Sequence, residues 1–64
     1  IACFIYQKGE NEVKASFRGE DGFDVCKLAQ NFGGGGHIKA AGCTIYSTIE
    51  QAWHNIQLKI AELF

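Results

Sequence analysis

The sequence predicts a small domain of the α/β (α+β) class, a small mixed β-sheet with helices packed on it. Three observations lead there. EVKASFR, Glu12 to Arg18, alternates apolar and polar side chains as a half-buried strand does. Ile49, Ala52, Trp53, Ile56, Ile60 and Leu63 fall within roughly 60° of Ile49 at 100° per residue, one stripe of a helix. The chain has 64 residues, enough for one domain, 1–64, that buries only about 60% of its unfolded surface.

Taken in order, IACFIYQ (Ile1 to Gln7) is a continuous run of apolar, aromatic and β-branched residues, which suits a strand covered on both faces. KGEN, Lys8 to Asn11, is a turn. In the next strand Val13, Ala15 and Phe17 point one way, and Lys14, Ser16 and Arg18 the other, so the pair reads as a hairpin. GEDGFD is a loop, and Asp24 is an N-cap for the helix VCKLAQNF. Val25, Leu28, Ala29 and Phe32 follow helical spacing, and Gly33 stands where a C-cap glycine belongs. CTIYS, Cys43 to Ser47, is a short strand. Ser47 and Glu50 form an S-x-x-E capping box for the last helix, on which Leu58 lies opposite the apolar stripe.

Composition narrows the function classes. Six basic and seven acidic residues are intermixed, for a net charge of −1. That is not the footprint of a sequence-independent nucleic-acid binder, so any anion site must be local. The cysteines Cys3, Cys26 and Cys43 are odd in number and form no CxxC pair, which indicates neither a disulfide framework nor a zinc site. Free thiols fit a reducing, cytoplasmic setting. The opening apolar run is too short for a membrane span or a signal peptide. Beginning in mid-run at Ile1, the chain reads as a fragment of a larger two-domain protein.

The stretch GGGGHIKAAG carries the chemistry. A connector explains Gly33 as a helix cap, but explains Gly34, Gly35 and Gly36 poorly, because other loop residues lose less entropy on folding. The alternative is a phosphate cradle. Successive bare N–H groups would form an anion nest, a short helical turn from His37 to Ala41 would point its N-terminus at the same anion, and His37 would add a side-chain donor that can also carry charge. Ala40, Ala41 and Gly42 are small enough for tight packing. There is no GK[ST], and the glycines follow a helix rather than a strand, so neither a Walker loop nor a dinucleotide-fold turn is indicated.

GGGGH-x-x-AAG, preceded by an S-x-R strand and a D-V-x-K-x-A-Q helix, resembles the DHH-associated domain, the C-terminal substrate-binding domain of the DHH phosphoesterases. Within that family it is most similar to the bacterial oligoribonucleases that degrade very short RNAs and dephosphorylate phosphoadenosine phosphate. The resemblance implies a division of labour. An N-terminal domain with the Asp-His-His signature binds two manganese ions that activate water, and the associated domain closes over the cleft and holds the substrate phosphate. Carried over by position, Gly33, Gly34, Gly35 and Gly36 are the cradle, and His37 contacts the phosphate and faces the reacting group. Arg18 with Ser16 is the second anion contact. Relatives often carry serine where this chain has Gly19, and asparagine where it has Lys39, so Lys39 either adds charge near the substrate or points into solvent.

Other residues have plainer readings: Trp53, Phe17 and Phe32 as core, His54 as solvated or at an interface, the thiols as small buried hydrophobes, and Glu20, Asp21 and Asp24 as capping residues rather than metal ligands. The chain has two histidines and no histidine–carboxylate cluster, so metal ligands and catalysis are expected elsewhere. The expected partners are a short single-stranded RNA or DNA or a nucleotide, the N-terminal catalytic domain and, as a further candidate, a second copy of the chain, with no membrane. The rival readings are a stand-alone nucleic-acid-binding module and a structural or dimerisation domain.

Overall fold

The alternation in EVKASFR sets the architecture, because every second residue of that strand is driven under cover. In a computed structural model describing all of residues 1–64, Val13, Ala15 and Phe17 are buried and their neighbours are not. The elements are β1 (Ala2–Gly9), β2 (Glu12–Arg18), α1 (Val25–Gln30), β3 (Gly35–His37), β4 (Ala40–Ile45) and α2 (Ile49–Leu63). The four strands form one sheet in the order β1-β2-β4-β3. All three pairings are antiparallel, so the sheet is not mixed, although the α+β class holds.

Both helices pack on one face. Phe17, Ala15, Ala41 and Cys43 of the sheet meet Val25, Leu28 and Ala29 of α1 and Ile56 of α2 in a single core, with Ile5, Phe32, Ile60 and Leu63 packed around it. That leaves the other face without a layer. β1 is therefore not covered on both sides as its apolar run suggests: Cys3 and Ile5 turn to the core, while Phe4 and Tyr6 stand exposed.

Local chemistry places the helix ends. The Asp24 carboxylate accepts from the Lys27 N–H at 3.1 Å, the expected N-cap. The helix stops at Gln30, two residues earlier than its apolar spacing suggests. The N–H groups of Phe32 and Gly34 donate to the Ala29 carbonyl, and that of Gly33 to Gln30. These bonds close the exposed end of the helix. At α2 the cap is Thr48 and not Ser47. Thr48 has the extended φ, ψ of −67°, 157° that a cap requires, and its Oγ1 accepts from the Gln51 N–H at 3.2 Å. The Ser47 hydroxyl instead donates to the Thr48 carbonyl.

Of the predicted apolar stripe on α2, Ala52 and Ile56 are buried and Ile49, Ile60 and Leu63 half-buried. Trp53 is 41% exposed and so does not anchor the core. It lies about 60° round the helix from the buried Ile56, on the flank of the stripe outside the core cluster. Leu58 is exposed, as its position opposite the stripe implies, and His54 is also at the surface.

Candidate phosphate-binding face

The segment after α1 is a β-hairpin, and the helical turn expected from His37 to Ala41 does not form. β3 pairs with β4 through Gly35↔Gly42, Gly36↔Ala41 and His37↔Ala40, leaving Ile38 and Lys39 as a two-residue turn. Two backbone bonds hold this turn: Gly19 N–H donates to the Lys39 carbonyl and Val25 N–H to the Ile38 carbonyl, each at 2.9 Å. The second also satisfies an unpaired donor at the start of α1.

The glycines divide by cause. Gly33 has φ +80°, a left-handed conformation in which a side chain is strained. At Gly34 a Cβ would fall 2.6 Å from the Cys43 Cβ and against the Gly42 carbonyl oxygen. Gly36 combines φ +143° with a Cβ position 2.7 Å from the Ala41 Cα. These three are therefore required by the chain itself. Gly35 is different: its φ is ordinary, and nothing lies within 4 Å of its Cβ position. Nor do the glycines present an open nest of successive N–H groups, because Gly33 and Gly34 already donate to carbonyls of α1.

Strand register then collects the candidate side chains. Residues of like parity share a face, and the uncovered face carries two successive rows. One runs Ala2, Arg18, Ala40, His37 and the next Phe4, Ser16, Gly42, Gly35. Arg18 and His37 thus flank Ala40, their Cα atoms about 10 Å apart at two strand spacings. Between them, and beside His37 in the next row, stand only small residues, Ala40, Gly42 and Gly35, whereas the exposed Phe4 closes the far end of that row. His37 and Arg18 are exposed and Ser16 is half-buried. One Arg18 guanidinium N–H donates to the Phe17 carbonyl at 3.1 Å, leaving its other donors free for an anion. Lys39 sits apart from this group. Its ammonium pairs with Asp21 at 2.6 Å over the loop before α1.

Charge is segregated although the net value is near zero. Arg18 and Lys14 on this face join none of the ion pairs, and Glu12, the strand carboxylate, is paired with Lys8 at 3.8 Å. The remaining acids lie in the turn, the loop or α2. An anion therefore meets a locally basic surface.

Beside the two rows lies a third, Tyr6, Lys14, Thr44, in register. It floors a groove of about 800 Å³ that continues to Phe32, Gly33, Gly34 and Tyr46. Sequence reasoning did not single out Tyr6, Thr44 or Tyr46. The available signal was parity, which already put Lys14 with Ser16 and Arg18.

Of the thiols, only Cys43 is buried as expected, and it lines the inner wall of the groove, while Cys3 and Cys26 are half-buried and stand outside it. Burial pushes the Cys43 thiol up to about 11, with nearby Cys3 acting in the same direction and Lys14 opposing. Burial also raises Cys3. Cys26, half-buried, donates weakly to the Gly36 carbonyl at 3.4 Å. No three His, Cys, Asp or Glu side chains converge as a metal site, and no helix is long and apolar enough to cross a membrane.

A family model described as the DHHA1 domain matches residues 1–63. The chain belongs to the DHHA1 domain family. This DHHA1 domain is 35% identical over 63 residues to the bifunctional oligoribonuclease and PAP phosphatase NrnA of Thermus thermophilus, a match covering 97% of the chain and 19% of that protein. It is 39% identical over 47 residues to the protein of the same name from Mycoplasma pneumoniae, covering 73% of the chain and 14% of that protein. The DHHA1 domain thus spans less than a fifth of the length of either relative. No solved structure matches significantly.

Proposed function

We propose that this domain holds the phosphate of a nucleotide or short single-stranded oligonucleotide on its uncovered sheet face, as the substrate-binding part of a DHH-family phosphoesterase. The observation that carries the reading is the register that sets His37 and Arg18 on either side of Ala40, with Ser16 and the bare Gly35 in the adjoining row. Arg18 offers a fork of donors matched to phosphate oxygens. His37 donates a further hydrogen bond and, protonated, a charge. Gly35 leaves room for the anion to reach the strand, while Gly33, Gly34 and Gly36 give the hairpin the shape that presents it. Lys39, held by Asp21, contributes at the rim.

Hydrolysis itself belongs to residues outside this chain. Two manganese ions on a catalytic domain would supply the activated water, and this face would close over them with His37 toward the reacting phosphate. The named activity of the two relatives, oligoribonuclease and PAP phosphatase, supports this substrate class.

The test is a backbone NMR titration with phosphoadenosine phosphate, repeated with His37→Ala. Shifts centred on Ser16, Arg18, Gly35 and His37, and lost in the variant, are expected. A silent sheet face at millimolar ligand would overturn the proposal. In the enzyme that carries the domain, His37→Ala is expected to lower kcat. Unchanged turnover with weakened RNA binding would favour the stand-alone binding module.

A further inference from the structure

We infer that the outer edge of β1 docks a second copy of this chain, the two β1 strands pairing antiparallel so that two four-stranded sheets become one. The contact is isologous: each β1 meets the same strand of its partner about a two-fold axis normal to the sheet.

The two free edges of the sheet are built differently. β3 has three residues and α1 borders it, the Cys26 thiol donating to the Gly36 carbonyl and the Val25 N–H to the Ile38 carbonyl. β1 has eight residues. It pairs with β2 alone, and no turn, loop or cap bond reaches its backbone. Its outward N–H and C=O groups therefore stand as a template for another strand. Natural edges are blunted by short length, charge, proline or a bulge. From Ala2 to Gln7 this edge carries none of these: the ladder is regular until the shift between Gln7 and Gly9, and Lys8 is the first charged side chain.

Symmetry and charge select a second copy as the occupant. A two-fold normal to the sheet lays like face beside like face, so each residue must meet one of its own parity. Of the registers this allows, Ile5 opposite the partner's Ile5 pairs the longest stretch, Ala2 to Lys8. On the uncovered face Phe4, 62% exposed, then meets the partner's Tyr6, 59% exposed, and symmetry makes that pair twice. Aromatic cross-strand pairs are among those that stabilise antiparallel sheets. On the helix side Cys3 meets the partner's Gln7, and half-buried Ile5 meets its own image. Lys8, the only charge on the strand, falls opposite the partner's Ala2, so no like charges confront each other. Because the β3 edge is short and bordered, growth closes at two copies instead of running on as a filament.

The experiment is sedimentation velocity of the whole chain over roughly 10 μM to 1 mM, the range of a small interface. A reversible monomer–dimer equilibrium is expected. Phe4→Lys and Tyr6→Glu should each weaken the dimer about tenfold, since each removes two symmetry-related contacts. Mixing the two variants should restore a heterodimer, because the register sets the new lysine of one against the new glutamate of the other. Thermal unfolding of each variant checks the fold, and Phe4→Thr, which drops the ring but keeps a good strand former, serves where a charge unfolds the chain. A chain that stays monomeric at the highest concentration overturns the inference. So does a dimer indifferent to all three substitutions, or one that the mixture fails to restore. In an enzyme that carries the domain, outward β1 amides protected from hydrogen exchange in a monomer would assign the edge to another segment and overturn it too.

Discussion

Alanine at Gly34 and at Gly35 should have opposite consequences, although the two are adjacent in a run of identical residues. At Gly34 the new Cβ would lie 2.6 Å from the Cys43 Cβ and 2.8 Å from its Cα. The obstacles are backbone and a buried side chain, so β3 and β4 must separate to admit it. Overpacking of this kind costs about 1–3 kcal/mol, and a clash against backbone belongs at the upper end. At Gly35 the added methyl meets nothing within 4 Å and φ lies outside the left-handed region that strains a side chain. There the unfolded chain loses freedom, worth about 0.4–1 kcal/mol in favour of the folded state. The two variants should therefore differ by roughly 2–4 kcal/mol, a large share of the total for a domain that at about 0.05–0.15 kcal/mol per residue has 3–10 kcal/mol in all. Urea unfolding followed by tryptophan fluorescence at Trp53 measures it through the midpoint at constant m. Phosphoadenosine phosphate binding should show the reverse order, with folded Gly35→Ala the weaker binder. Equal stabilities for the two variants would refute the division of the glycine run into structural and ligand-facing positions.

Three further outcomes follow from the same geometry. His37→Ala should change stability by less than about 0.5 kcal/mol, since the side chain is exposed and makes no internal bond; a larger loss by urea unfolding would give the histidine a structural role. Thr48→Ala should cost about 1 kcal/mol and Ser47→Ala much less, because only Thr48 Oγ1 caps α2; equal losses in thermal melts would contradict that assignment. Stability should be flat with respect to the Cys43 thiol below pH 9 and fall as pH rises toward 11, where the unfolded thiol ionises and the buried one, held up to about 11, does not. The full loss is about 2–3 kcal/mol, and Cys43→Ala should flatten that limb of the pH–stability curve.

What was legible in the sequence was what neighbours along the chain decide. The β2 alternation, the Asp24 cap and the buried side of α2 depend on spacing within a few residues, and each appears in the structure. The hairpin at His37 was not legible, because the shape of the glycine run is imposed by β4. Gly34 is bare on account of Cys43, nine positions away, and no local pattern distinguishes that cause from a ligand. The exposure of Phe4, Tyr6 and Trp53 escaped for a related reason. An apolar run records preference for cover, but whether a layer lies over it depends on both helices choosing the same side. Ser16, Arg18 and His37 could be named from the motif, yet only the register of β2 and β4 puts them on one surface.

The turn that carries His37 has one more consequence. It is moored to Gly19 and Val25 through the carbonyls of Lys39 and Ile38, groups that every amino acid possesses. The side chains at these two positions are consequently interchangeable as far as the hairpin is concerned; Ile38 is 59% exposed and Lys39 meets only a surface acid. Variation at 38 and 39 can retune the rim of the face, in charge or in bulk, while the histidine beside them keeps its place.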